Sequence, residues 1–132
     1  MTTTLETKLE IKNWDEKPYR ELDGGHKLNR AEVVLVGTGD GLESGTFAGL
    51  MYYRPDGTSS YVTMLHITAT LDGRSGGIVL TGDGSYRDGT ASGQFTIVEG
   101  MGELAGIRGS AESVSTHGDY PYMPLALRYD FE

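Results

Sequence analysis

The sequence predicts a single all-β domain, a closed antiparallel barrel of about eight strands that spans residues 1–132. Three observations lead to this prediction. Apolar and polar residues alternate with a period of two over much of the chain, whereas helical periodicity is scarce. Glycine makes up 20 of the 132 residues and proline only four, which favours many tight turns over a disordered chain. Turn signals recur at short spacing, as is typical of barrels and sandwiches.

The first four strands are predicted at residues 5–11, 28–37, 44–53 and 60–71. Residues 13–27, which contain Pro18 and the pair Gly24-Gly25, are interpreted as a loop. Arg54-Pro-Asp-Gly-Thr58 is a hairpin signal, because Pro55 presets φ and Gly57 can adopt the left-handed conformation.

The remaining strands are predicted through residues 78–80 and at 90–99, 102–115 and 122–131. Gly73-Arg-Ser-Gly-Gly77 matches the expression of a serine hydrolase, but it joins two strands and no helix follows, so we interpret it as a turn. Gly37-Thr-Gly-Asp-Gly41 is interpreted in the same way, since it lacks the helix that a phosphate loop needs.

Composition excludes several classes of function. A net charge of −8 disfavours nucleic acid and anionic membranes as partners. The chain has no cysteine, and its three histidines lack the spacing of metal ligands, so neither a thiolate site nor a metal site is predicted. No apolar stretch resembles a signal peptide or a membrane helix, which predicts a cytoplasmic protein.

Several motifs carry a resemblance to a known family. They include Trp14-Asp-Glu-Lys-Pro-Tyr19, Gly102-Glu-Leu-Ala-Gly-Ile-Arg-Gly109 and the terminal Tyr129-Asp-Phe-Glu132. The chain resembles the bacterial domain-of-unknown-function family DUF3224 over nearly its whole length. The resemblance implies an eight-stranded barrel similar to allene oxide cyclase, whose relatives need no cofactor and hold an apolar substrate in one conformation. This chain has Ala48 and His66 where the family often carries glutamate, so a role for those acids is not carried over.

The central hairpin provides a candidate interior. If the hairpin is centred on Gly57, the opposed pairs are Ala48 with His66, Leu50 with Met64 and Tyr52 with Val62, and these six side chains share one face. The opposite face consists of Phe47, Met51, Tyr53, Tyr61, Thr63, Leu65 and Ile67. We assign the face with His66 to the interior, because it aligns with the acidic positions of the family. The other face is then predicted to mediate self-association through Met51 and Leu65.

Candidate site residues follow from that assignment. His66 and Tyr52 are predicted to be catalytic, donating hydrogen bonds or moving a proton. The predicted ligand-binding residues are Trp14, Ala48, Leu50, Val62, Met64, Phe95 and Arg108. Two alternatives stay open for Trp14, a lid over the ligand or a plug of one barrel end. Arg108 either projects inward to a carboxylate or ligand oxygen or points outward as a solvated charge.

The leading functional hypothesis is a cofactor-independent cyclase or isomerase that shapes a hydrophobic molecule of natural-product type inside the barrel. The first alternative is a non-catalytic barrel that binds a small apolar ligand, as lipocalins do. The second is a well-filled barrel of structural or interaction type, since side chains can pack eight strands solid. The alternative to a catalytic role for His66 is that it only satisfies Tyr52 or a backbone group inside the core. The interior volume separates the first two hypotheses from the third, because ligand pockets usually exceed a few hundred Å3.

Overall fold

The computed structural model describes residues 2–131, and its strands form one antiparallel sheet that closes into a barrel. Met1 and Glu132, the ends of the predicted domain, lie outside the described residues. Each strand pairs with its neighbours in the sequence, and the first pairs with the last. The strands are β1 Thr3–Glu21, β2 Lys27–Gly37, β3 Leu42–Tyr53, β4 Ser59–Leu71, β5 Arg74–Arg87, β6 Thr90–Gly102, β7 Ile107–Thr116 and β8 Tyr122–Phe131.

The prediction of an all-β fold with eight antiparallel strands is confirmed. Within residues 2–131, helical structure is limited to two short 3-10 turns, Asp23–Gly25 and His117–Asp119. No helix in this part of the chain is long and apolar enough to cross a membrane. The hydrolase-like expression joins two strands, as predicted, but its turn is limited to Asp72-Gly73, and Ser75 already lies in β5.

Strand β1 is much longer than predicted. The prediction of a loop at 13–27 is wrong over most of its length, because residues 13–21 belong to β1. Irregularities at Lys12 and Tyr19 shift the pairing with β2, but the strand continues through Pro18, which lies opposite Asn29. Strand β8 ends its pairing with β1 at Glu10, so the second half of β1 has a strand neighbour on one side only. Proline is tolerated there because its missing N–H interrupts no second ladder.

The hairpin between β3 and β4 turns one residue earlier than predicted. The Gly57 N–H donates to the Arg54 carbonyl at 3.1 Å and the Arg54 N–H donates to the Thr58 carbonyl at 2.9 Å, so the turn is centred on Asp56. Ala48 therefore pairs with Met64, Leu50 with Val62 and Tyr52 with Ser60. The predicted pairs are wrong by two residues, although the division of side chains between the two faces is unchanged.

The assignment of the His66 face to the interior is wrong. Val62 is 55% exposed and Met64 is 53% exposed, whereas Leu65 between Met64 and His66 is fully buried. The apolar residues of β4 continue along the Leu65 face to Leu71, while the face with His66 continues with threonine. The interior is therefore the face with the longer apolar row, and the other face is the outer surface. The predicted self-association through Met51 and Leu65 is wrong for the same reason, because both line the inside.

The interior is divided along the barrel axis into two parts. The filled half lies toward the turns at 38–41, 72–73 and 103–106, and side chains pack it solid. Its fully buried residues are Leu9, Leu35, Leu65, Ile67, Ala69, Ile78, Leu80, Leu104 and Leu127. The hollow half lies toward the loops at 22–26, 54–58, 88–89 and 117–121, and it contains a cavity.

Candidate functional site

The hollow half contains a cavity of about 370 Å3 inside the barrel. Its wall is mainly aromatic, with small residues between the rings. The aromatic residues that line it are Trp14, Phe47, Tyr53, Tyr61, Tyr86, Phe95 and Tyr122, and the small ones include Ser59, Ala91, Gly93, Ser113 and Ser115. Its volume lies within the range of about 300–1,000 Å3 that ligand pockets occupy.

Two inward glycines on β5 make room for two of the rings. A Cβ atom on Gly84 would lie 2.8 Å from the ring of Tyr61, and one on Gly82 would lie 2.7 Å from the ring of Phe95. These two glycines therefore allow the rings to lie flat against the backbone of β5. The Tyr61 hydroxyl donates to the Ser92 carbonyl at 3.0 Å, which fixes that ring across β5.

Trp14 forms part of the cavity wall near the barrel end. Its ring meets that of Phe47 edge to face, with the ring centroids 5.7 Å apart. The indole is nevertheless 44% exposed, so it also faces the solvent at the mouth. Trp14 therefore does not plug the barrel end, because the cavity beside the indole is not filled.

A carboxylate lies directly behind this wall. Glu16 accepts hydrogen bonds from the Trp14 indole at 2.9 Å, from the Asn29 amide at 2.7 Å and from the Tyr53 hydroxyl. Trp14 and Glu16 are two residues apart on β1, opposite the inward-facing Val33 and Ala31 of β2, so both point to the inside. Small residues follow in the same row, Ala31 on β2 and Gly49 on β3, and leave space for this cluster.

The cluster keeps Glu16 ionised and Tyr53 neutral. Burial acts to raise the pKa of Glu16, but the hydrogen bonds from Tyr53, Asn29 and Trp14 outweigh it, and the net pKa lies below the usual value. Burial raises the pKa of Tyr53 strongly, and the hydrogen bond to the Glu16 carboxylate raises it further. At neutral pH the pair is therefore an anion held by a neutral phenol.

One polar atom of Asn29 has no hydrogen-bond partner within residues 2–131. The side chain is buried, and its amide nitrogen donates to Glu16. Its oxygen Oδ1 accepts no hydrogen bond from any residue within 2–131. Exchanging the two amide atoms would place that oxygen against the carboxylate, so the orientation is set by Glu16. The cluster as a whole has more acceptors than donors.

Of the predicted site residues, the structure brings Trp14 and Phe95 together at the interior cavity. Leu50, Tyr52 and Val62 instead border a wide, more open depression of about 700 Å3 on the outer surface. Ala48 and Met64 lie beside them on the same outer face.

His66 and Tyr52, the predicted catalytic pair, do not lie inside the barrel. His66 is exposed and packs over Gly77, where a Cβ atom would lie 2.9 Å from the imidazole Nε2. The Tyr52 hydroxyl lies 2.7 Å from Nδ1 of His26, and the two rings stack. The interior position on which both catalytic roles depended is wrong, so we do not carry those roles forward.

Of the two alternatives for Arg108, the structure favours the outward one. Its Nε lies 2.5 Å from Oδ1 of Asp130, and the side chain is largely exposed. The hydrogen bond from Arg108 is the main reason that the pKa of Asp130 lies below its usual value. This ion pair lies on the outer surface of the filled half, far along the strands from the cavity.

Glu16, Asn29 and Tyr53 were not among the predicted site residues. Glu16 and its neighbours fall in the segment interpreted as a loop, yet Trp14 and Glu16 continue a period of two after the irregularity at Lys12. Glu16 is itself polar, so this alternation is seen in the strand pairing and not in the apolar pattern of the sequence. Within residues 2–131, no cluster of three or more His, Asp or Glu side chains is arranged to hold a metal ion.

Comparison with known proteins adds the family and the fold. The family model described as "Protein of unknown function (DUF3224)" matches residues 5–129. A crystal structure of a DUF3224 family protein of unknown function from Shewanella oneidensis MR-1 is similar, with a TM-score of 0.78 and 24% sequence identity. The similarity covers 100% of this chain and 99% of that one. A search of curated proteins gave no match. Since the family model spans nearly all of the sequence, the chain belongs to the DUF3224 family.

Proposed function

We propose that this protein binds a small, mostly apolar organic molecule inside the hollow half of the barrel. The observation that carries the proposal is the interior cavity of about 370 Å3 with its largely aromatic wall. A dry, apolar cavity of about 150 Å3 in another protein takes up benzene. A cavity about two and a half times larger suits a compact molecule of two or three fused rings.

The interior cavity is the better candidate for a binding site than the outer depression. The outer depression is larger but more open, and acidic side chains, Asp83 and Glu112, lie among its apolar residues. An apolar ligand gains most of its binding free energy from surface removed from water. The enclosed cavity removes more of that surface for a ligand of the same size.

A cofactor-independent cyclase or isomerase is the second candidate, and the Glu16–Tyr53 pair beside the cavity favours it. This pair is not suited to proton transfer at neutral pH, since the pKa of Glu16 is lowered and that of Tyr53 is raised. Catalysis would rest on holding one reactive conformation in a dry site next to a fixed anion. The resemblance to the barrel of allene oxide cyclase supports this candidate by fold analogy alone.

The binding proposal can be tested with adamantanol, a rigid and non-fluorescent cage alcohol. Trp14 is the single tryptophan and lies in the cavity wall, so its emission reports occupancy directly. We expect adamantanol to shift that emission and to stabilise the fold by about 2.7 kcal/mol at a hundredfold excess over Kd. Emission titration and thermal unfolding measure the two effects.

Two matched variants locate the bound probe. Ala91→Leu adds methyl groups inside the cavity and is expected to weaken adamantanol binding at least tenfold. Ala48→Leu makes the same change on the outer face and is expected to leave the affinity within twofold. Ser115→Leu serves as a second filling variant. An adamantanol affinity that is unchanged in both filling variants contradicts the proposal. So does the absence of binding at millimolar adamantanol. Turnover of a bound substrate, rather than its unchanged release, would establish the second candidate.

A further inference from the structure

We propose that the cavity selects ligands whose polar group donates a hydrogen bond, namely alcohols and amines, and discriminates against carboxylates. This inference rests on the proposed binding function and specifies the ligand class of the same site. It follows from the direction in which the polar groups of Trp14 and Tyr53 point, from the fixed charge of Glu16 behind them, and from the balance of donors and acceptors in this cluster.

The donor groups of Trp14 and Tyr53 are turned away from the cavity. Trp14 and Tyr53 both line it, but the indole N–H and the phenol O–H both donate to Glu16. The indole has no acceptor, so Trp14 offers a ligand only the face of its ring. Tyr53 retains lone pairs on its oxygen, which a ligand O–H or N–H can use. A ligand that brings only acceptors finds no free donor in these two groups.

The negative charge of Glu16 behind the wall also favours a ligand that donates a hydrogen bond. Glu16 is ionised, and the residues that line the cavity include no Lys, Arg, Asp or Glu. Lys27 is an opposing charge that acts on Glu16, and its Nζ lies 5.2 Å from the centre of the Tyr53 ring. Lys27 is exposed, so water screens its charge more than that of the partly buried Glu16. The net field at this end of the cavity therefore favours a cation or a neutral donor over an anion.

The buried amide shows the same surplus of acceptors independently. Asn29 is only 5% exposed, its nitrogen is committed to Glu16, and its Oδ1 has no donor among residues 2–131. Oxygen Oε2 of Glu16 already accepts two hydrogen bonds, whereas Oε1 accepts one. A carboxylate oxygen can accept about two. Acceptor capacity thus remains on Glu16 and on Asn29, whereas every N–H or O–H proton directed into the cluster is already used.

A size-matched series of probes tests the selectivity. Adamantanol donates and accepts, adamantanone only accepts, adamantylamine is a cationic donor at neutral pH, and adamantane carboxylate is an anion. We expect the alcohol and the amine to bind at least tenfold more tightly than the carboxylate, and the ketone to bind more weakly than the alcohol. Dissociation constants come from Trp14 emission and from calorimetry at neutral pH.

Two variants assign the selectivity to the cluster. Glu16→Gln removes the charge and keeps the shape, and we expect it to reduce the amine-to-carboxylate preference at least tenfold. Tyr53→Phe keeps the ring and removes the oxygen, and we expect the advantage of the alcohol over the ketone to disappear. If one variant fails to fold, the other still tests the inference.

The outcomes separate this inference from the function on which it rests. If all four probes bind with similar affinity, the selectivity is wrong and the binding function stands. If the carboxylate binds most tightly, the inference is overturned, and Lys27→Met then shows whether Lys27 is the cause. If none of the probes binds, the proposed function itself fails and the selectivity falls with it.

Discussion

The filled half and the hollow half of the barrel are built from the same strands, but their inward residues differ in kind. On β4 the inward residues change from the aliphatic Leu65 and Ile67 to Thr63, Tyr61 and Ser59, of which only the tyrosine is large. On β7 they change from Ile107 to Ser113 and Ser115. A closed sheet of eight strands is narrow enough for aliphatic side chains to fill. The cavity is therefore produced by small residues at inward positions, and it needs no change in the number of strands.

The comparison can be tested most strongly with a charge placed on either side of one strand. Leu65→Lys puts an unpaired ammonium into the filled half, and we expect it to lower the free energy of unfolding by about 4 kcal/mol or more. Met64→Lys, one residue earlier, points to solvent and should change it by less than about 0.5 kcal/mol. Denaturant unfolding followed by circular dichroism measures both. A stable Leu65→Lys protein that only changes its oligomeric state would contradict the assignment of faces.

A smaller and more specific test adds the same volume to each half. Ala69 is fully buried in the filled half, so Ala69→Leu is expected to cost about 1–3 kcal/mol through overpacking. Ala91→Leu extends into the cavity and should change stability by less than about 1 kcal/mol. Thermal and urea unfolding of the pair give the values. Equal costs at the two positions would mean that the hollow half has no usable space.

Acid provides a third test, because the hollow half contains a carboxylate whose pKa is lowered on folding. The unfolded chain binds that proton at higher pH, so the stability from Glu16 is present above its ordinary pKa of 4.5. It is lost as the pH falls through the lower pKa of the folded state. We expect Glu16→Gln to flatten the fall of Tm below about pH 5.

Asp130→Asn is the control in the filled half for this acid test. The pKa of Asp130 is also lowered, chiefly by the hydrogen bond from Arg108, but that pair lies on the surface, where solvent screens it. Its removal should flatten the curve less than Glu16→Gln does. The reverse order would show that the Glu16 cluster does not stabilise the hollow half.

The smallest expected effect is at His66. His66→Gln lies on the outer face and should change the free energy of unfolding by less than about 0.5 kcal/mol. The affinity for adamantanol should also stay within twofold of the wild-type value. A tenfold loss of binding in this variant would return the outer face to consideration as a site.

Local patterns were sufficient to predict most of the strands. Period-two alternation and turn residues predict β2, β4 and β8 to within one residue, because both signals are local. They also predict that side chains 62, 64 and 66 share a face. The choice of which face lies inside needed the whole of β4, where leucine and isoleucine continue on one side only. The six hairpin residues used for the prediction do not show which face stays apolar along the whole strand.

The site was harder to predict, because it depends on contacts between distant parts of the chain. Trp14 and Phe95 were identified from residue type and alternation, and both line the cavity. The role of Glu16 depends on the irregularity at Lys12, which restores its inward direction, and on Tyr53, which comes from another strand. Neither the shifted register nor that contact is visible in a local window of sequence.

The pairing of β1 with β8 has a consequence for how this molecule is made. All other strand pairs are neighbours in the chain, whereas this one joins Thr3 to Tyr129. During synthesis, a nascent chain can form the successive hairpins, but it has two open sheet edges until β8 has emerged from the ribosome. Completion of the barrel, and with it the enclosure of the cavity, is therefore delayed until the last strand has been translated and has found the first.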